Sequence, residues 1–294
     1  NPARQALLPS LLPLNVFPNG VSLMSTAIHT SMVVGPAISG LLLGMYGAPL
    51  IYTINALSFL AIIFALLSMQ ASGRVIRSEG QISRVNLDAL REGLRFVWRT
   101  PIIVQTMTID FIATFFASST TLLPIFAVDI LRVGPQGLGF LSAAPALGSI
   151  TASLAMSRLD ILPKQGATML SAIAIYGAAT VGFGLSRWFW PSFAMLVVVG
   201  SADTVSTVLR QTIRQLVTPD YLRGRMTSVN MIFFVGGPQL GEFEAGTVAA
   251  LIGAQLSVVT GGIACIVAAV LAALTAKTLL HSDVQFSEVS PVKQ

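Results

Sequence analysis

Apolar residues gather along this chain in eight windows, near 20–45, 48–70, 102–128, 136–157, 166–186, 190–213, 224–252 and 256–280, punctuated by Gly, Pro and charge. A helix crossing the hydrocarbon core of a bilayer needs about 20 largely apolar residues, so each window has the length of a membrane span. Composition points the same way. Hydrophobic residues make up 54% of the 294 positions and Asp, Glu, Lys and Arg only 10%, against about 25% charged in an ordinary soluble domain. Too few charged groups remain to coat a water-soluble globule. The expected fold class is all-α integral membrane. A single cysteine, Cys265, excludes a disulfide framework and a cysteine zinc site. His29 and His281 are too distant in sequence to form a local metal pair, so neither a metal nor a cofactor is expected.

Positive charge sets the orientation. Taking alternate connections as one side, segments 1–19, 70–101, 157–166, 208–226 and 275–294 hold every Lys and Arg except Arg132 and Arg187. That side is assigned to the cytoplasm, together with the C-terminus. The net charge of +5 is then a topology signal, and no nucleic-acid partner is expected, because such a footprint would cluster on one soluble face.

The long polar stretch runs from Gln70 to Thr100. In its second half Leu87, Leu90, Leu94 and Val97 recur at helical spacing, while Arg91, Arg95 and Arg99 repeat every four residues on another face. Asn86 is a suitable N-cap. The pattern predicts an amphipathic helix lying against anionic headgroups; the plainer reading is a solvated linker helix. Either way it divides the chain. Residues 1–70 form the last two helices of one bundle, 71–100 a cytoplasmic linker, 101–282 a complete six-helix bundle, and 283–294 a cytoplasmic tail.

An internal repeat supports that division. Displacing the sequence by 206 positions lays Arg4-Gln5 on Arg210-Gln211, Pro13 on Pro219, Ser22 on Ser228, Gly35 on Gly241, Gly40 on Gly246, and Gly47-Ala48 on Gly253-Ala254. The matches are few, but several fall on Gly and Pro, which fix turns and close backbone approach. Parallel six-span repeats are a known transporter plan. The first two spans align with the last two of a complete copy, which makes the expected protein a C-terminal fragment lacking four N-terminal helices.

These residues resemble the major facilitator superfamily, and within it the bacterial branch of enterobactin-exporter-like and macrolide-efflux-like transporters of the transmembrane secretion effector type. The resemblance rests on Pro2-Ala-Arg-Gln-Ala-Leu-Leu-Pro9, Asn55-Ala-Leu-Ser-Phe59, Leu123-Pro-Ile-Phe-Ala-Val-Asp-Ile-Leu131, Ala202-Asp-Thr-Val-Ser206, Thr218-Pro-Asp220, Arg223-Gly-Arg225 and Leu240-Gly-Glu-Phe-Glu-Ala-Gly246. It implies a major facilitator fold with eight of twelve helices present, numbers 5 to 12, in two pseudo-symmetric bundles of which the first is truncated. Helices 5, 7, 8, 10 and 11 would face a central cavity. It further implies a multi-pass protein of the bacterial inner membrane that exports a small amphipathic molecule, a siderophore or a drug, by alternating access in exchange for protons. The exporter signature Gly-Pro-x-x-Gly-Gly stands here as Gly35-Pro-Ala-Ile-Ser-Gly40, with Ser39 replacing one glycine.

Small residues recur every four positions at Gly237, Gly241, Ala245, Ala249 and Gly253, at Ala144, Gly148 and Ala152, and at Ser31, Gly35 and Ser39. Such stripes let helix backbones approach closely. They serve static packing or a sliding gate, with Pro36 and Pro238 as kink points. Four acids, Asp110, Asp203, Glu242 and Glu244, fall within spans, where a charge costs at least about 2.5 kcal/mol. Asp110 and Glu242 are the first candidates for carrying the coupling proton, and Asp203 with Arg210 the second. Asp203 and Arg210 stand two turns apart, about 10.5 Å along the axis, which favours a hydrogen-bonded chain through Ser206 and Thr207 over a direct ion pair. Glu242 and Glu244 diverge by about 200° around their helix and cannot share one task; one would face the cavity. His29 suits proton traffic, although packing is its plainer role. Arg223 and Arg225 are candidates for a cytoplasmic gate.

The competing function classes are a membrane-embedded enzyme and a non-transporting structural membrane subunit. Neither a Gly-x-Gly-Asp nor a Gly-x-Ser-x-Gly setting surrounds the buried acids and serines, and no phosphate-binding Gly-x-x-x-x-Gly-Lys-Ser occurs. The sequence is not expected to be an enzyme.

Overall fold

The computed structural model describes residues 31, 34–36, 38–68, 87–116, 120–158, 164–219 and 222–275. His29, the first half of the polar stretch and the tail 283–294 lie outside the described residues. Those described form helices and connecting turns, with no strand among them.

The chain groups into two compact units: Asn1–Arg84 with Gly134–Ala143, and Val85–Val133 with Ala144–Gln294. In the first, the helical stretch Val34–Tyr46 is followed by α1 (Ala48–Ser68). With 21 residues, α1 is about 32 Å long, close to the ~30 Å hydrocarbon core. Apolar residues surround it, and Tyr52, Leu57, Phe59, Leu60 and Phe64 are exposed. A helix that is apolar all round is one that is covered by other protein or by hydrocarbon.

The second unit begins with α2 (Leu87–Arg99), as the leucine spacing predicts. One residue later α3 (Pro101–Phe116) starts on a proline, where a missing N–H costs nothing. A 3-10 turn (Thr120–Leu122), an α-turn (Leu123–Ile125) and a π-turn (Phe126–Ile130) prolong it, and Phe126 stacks on Phe183 at 4.5 Å. Then come α4 (Gly134–Met156), which belongs to this unit from Ala144 onward, α5 (Gln165–Leu185), α6 (Phe189–Val217), α7 (Arg223–Ile252) and α8 (Ala254–Thr275). Among the described residues, five helices are long and apolar enough to cross a membrane: Pro101–Ile130, Gly134–Met156, Gln165–Leu185, Phe189–Val217 and Ala254–Thr275. At 30 residues α7 has the length, but no stretch of it is apolar enough to count among those five.

The core of this unit joins α3, α5, α6 and α8 through Ile109, Met169, Ile173, Leu209 and Cys265. Helices approach closely where side chains are smallest. A methyl group on Gly200 would run into the carbonyl oxygen of Pro145, and one on Gly148 into that of Val197. Ser149 Oγ donates to Gly200 O (3.3 Å) and Ser201 Oγ to Gly148 O (3.0 Å) across the same crossing of α4 and α6. Packing and shared hydroxyl bonds are what hold helices together when lipid supplies no hydrophobic drive between them.

Gly47 and Gly253, which the 206-position displacement aligns, both have a positive φ. Their φ angles are 76° and 90°, in a region costly for any residue with a Cβ. Each donates its N–H four residues back, to Leu43 O at 3.0 Å and to Ala249 O at 2.9 Å, and each precedes a helix beginning at alanine.

Candidate functional site

Helix α6 is apolar on most of its surface but carries a polar stripe. At 100° per residue, Asp203, Ser206, Thr207, Arg210 and Arg214 all fall within an arc of roughly 100°. The stripe faces inward, with Ser206, Arg210 and Arg214 buried. Opposite it, α3 presents Asp110, 3% exposed. Arg210 Nη2 lies 2.9 Å from Asp110 Oδ1, and Arg214 Nη2 lies 3.5 Å from Asp110 Oδ2. Two guanidinium groups thus hold one carboxylate.

The arginines are themselves held. Arg210 donates to Ser206 Oγ (2.9 Å) and Thr207 Oγ1 (2.8 Å). Arg214 Nε donates to Arg210 O (3.1 Å), and its Nη1 to Asn230 Oδ1 on α7. Helices α3, α6 and α7 are therefore tied by one charged network. Asp110 Oδ1 and Arg210 Nε complete no aligned hydrogen bond among the described residues, so charge, more than hydrogen-bond geometry, holds the 2.9 Å contact. A buried pair is weak evidence for net stability, but removing one partner strands the other.

Arg210 also reaches towards Asp203, with Nη2 3.9 Å from Oδ1. The helical rise made this contact unexpected. It arises because the guanidinium folds back along the helix onto Ser206 and Thr207, which lie between the two residues. Asp203 differs from Asp110 in its surroundings. Its side chain is 48% exposed and lines a cavity of about 230 Å³ with Thr114, Ser149, Tyr176, Pro238 and Glu242. Pro145 and Gly200, from the tight crossing of α4 and α6, form part of the wall. The cavity thus collects two carboxyl groups and several hydroxyls among apolar walls, and no Lys or Arg lines it. Such a site can bind and release a proton, or bind a polar group on an otherwise apolar molecule.

The other sequence candidates fall in several places. Glu242 is exposed and faces the cavity, whereas Glu244 is half-buried and does not line it. Gly237 and Gly241 lie against α3: a methyl on Gly237 would meet Thr114 Oγ1 at 2.8 Å, and one on Gly241 would run into Phe115 O. In the first unit, Pro36, Ser39 and Gly40 line a separate apolar recess of about 340 Å³ with Gly139. Gly40 and Gly139 meet backbone to backbone there, while Gly35 faces open space. Arg225 packs through its Cβ against Gly93 of α2, and the Arg223 side chain lies outside the described residues.

Arg214 and Asn230 were not singled out by the sequence, nor were Tyr176 and Thr114. By position Arg210 and Arg214 belong to a basic cytoplasmic flank, yet both are buried within α6. The signal that finds them is the i, i+4 spacing in register with Asp203, which makes a stripe instead of a flank. No such signal exists for Tyr176 or Thr114, which reach the cavity from other helices.

The chain matches the transmembrane secretion effector family over residues 1–290. It is 26% identical over 235 residues to the multidrug efflux pump Tap of Mycolicibacterium fortuitum, covering 78% of this chain and 56% of that protein. It is 26% identical over 267 residues to the enterobactin exporter EntS of Escherichia coli strain K12, covering 91% of this chain and 63% of that protein. EntS of Shigella dysenteriae serotype 1 gives the same identity over the same length. The matched part of the chain is thus well short of these relatives' full length.

Proposed function

The chain belongs to the transmembrane secretion effector family of the major facilitator superfamily, and on that premise we propose that it serves a secondary transporter exporting a small amphipathic molecule across the bacterial inner membrane. The family and the relatives are transporters, not enzymes. In this reading the protein works by alternating access, the basic connections and the C-terminus lie in the cytoplasm, and inward proton flow drives export.

The observation that carries the reading is the pairing of an open acidic cavity with a sealed charge network behind it. Asp203 and Glu242 face the cavity and are reached from it, so they are the groups we assign to proton exchange. Asp110 receives a different role. Its charge is compensated by Arg210 and Arg214, so it has no need of a proton to stay buried. Arg210, within reach of both Asp110 and Asp203, is the element through which the state of the cavity acid is felt by α3 and, through Arg214 and Asn230, by α7.

The test is proton-driven dye efflux in inverted vesicles carrying the protein as its gene encodes it. Asp203→Asn and Glu242→Gln each reduce gradient-driven transport at least tenfold while leaving the protein folded in the membrane. Full transport in both variants overturns the assignment.

A further inference from the structure

Helix α2 carries more than a linker needs. Gly93 and Val97 dock it on the second unit, against Arg225 and beside Ile103, Met107 and Val229. At 100° per residue the rest of its surface is ordered. Leu94, Trp98, Arg91, Arg95 and Arg99 follow one another around a single arc, and all five are exposed. Of the acids of this helix, position 88 falls between Arg95 and Arg99 on this arc and position 92 just beyond Arg99, while Arg91 lies next to Trp98. None of the three arginines has an ion-pair partner among the described residues. The helix ends at Arg99 and the membrane-spanning segment starts at Pro101, which puts Trp98 and the arginines at the level of the headgroups, where indole and guanidinium groups favour residence.

Below Trp98 the surface opens. A pocket of about 100 Å³ is lined by Leu94, Trp98, Val104, Thr108 and Phe233. A larger groove of about 580 Å³ shares Val104 and Thr108 with it and continues between α3 and α8 past Ile112 to Phe116. Val267 and Leu271 on its rim are exposed. From Val104 to Phe116 the path along α3 is about 18 Å, slightly more than the ~15 Å depth of one leaflet's hydrocarbon. Cationic groups, an indole and an apolar channel one leaflet deep follow in the order of the parts of a phospholipid.

We propose that this face holds one anionic phospholipid. Its phosphate lies against Arg91 and Arg95 beside Trp98, and one acyl chain runs down the groove between α3 and α8. The charge complementarity selects an anionic headgroup over a zwitterionic one, and the groove selects a lipid over a free phosphate. The proposal goes beyond the transport reading and needs only that α3 and α8 span a membrane.

Replacing every other tryptophan of the full protein by Phe, Trp188 and Trp190 of this chain among them, leaves Trp98 as the reporter. In phosphatidylcholine vesicles, phosphatidylglycerol brominated on its acyl chains quenches Trp98 several-fold more strongly at equal mole fraction than brominated phosphatidylcholine. That preference falls to unity with Arg91→Gln, Arg95→Gln and Arg99→Gln combined, and halves with Arg95→Gln alone should the triple variant fail to insert. Thr108→Phe, which fills the groove and leaves the arginines in place, also lowers it. Soluble inorganic phosphate does not compete. Equal quenching by the two lipids, or a preference surviving loss of the arginines, overturns the proposal; quenching relieved by phosphate would show an anion site without a lipid and overturn it as well.

Discussion

Asp110 and Asp203 reach the same guanidinium from different helices, yet their side chains are 4% and 48% exposed. The first is enclosed by α3, α6 and α7 and held by two arginines. The second stands on a cavity wall with Glu242 across it. What separates them is the company each keeps. A carboxylate that brings two cations into the interior becomes a fixed part of the frame, and one that keeps a path to water stays available for exchange. The sealed region should therefore respond to mutation through stability, and the open region through activity.

The largest effect is expected at Asp110. Asp110→Ala leaves Arg210 and Arg214 buried without their counter-charge and should cost about 3–5 kcal/mol, read as a lower unfolding midpoint in detergent. Adding Arg210→Gln should recover part of the loss. Simple additivity of the two changes would break the claim that they form one network.

A smaller effect is expected where the open region borders tight packing. Gly200→Ala introduces a methyl group against the Pro145 carbonyl and should cost about 1–3 kcal/mol in the same unfolding measurement. A neutral result would show that α4 and α6 can separate without penalty, and the cavity wall would then be softer than the comparison requires.

The smallest stability effect belongs to Asp203→Asn, within about 0.5 kcal/mol, as for an accessible side chain. Its transport defect should nevertheless be the larger one. A variant that unfolds like Asp110→Ala would erase the distinction between the two acids.

Much of the fold was legible in the sequence because membrane helices announce themselves by length and apolarity. Helices α4, α5 and α7 begin and end within about two residues of the apolar windows, while α6 continues to Val217 and α3 ends at Phe116, its window being completed by the turns that follow. Gly47 and Gly253 stand out as a pair in the sequence, and both have a positive φ. The site was legible only in part. Buried acids stand out against apolar neighbours, so Asp110, Asp203 and Glu242 could be named. Arg214 has the sequence signature of a flank charge, because a basic residue near a span's end looks the same whether it meets headgroups or a carboxylate.

Sequence alone determined that the chain forms apolar helices, because local composition decides what can sit in hydrocarbon. It also determined which residues are too costly to leave there without a partner. Only the tertiary structure decided who those partners are. Asp110 meets Arg210 and Arg214 across about a hundred positions of chain, and Asp203 meets Glu242 around a shared cavity. Neither pairing has a local signature. An ion pair or a cavity depends on which faces of distant helices are brought together, and that follows from the packing of small residues along their crossings.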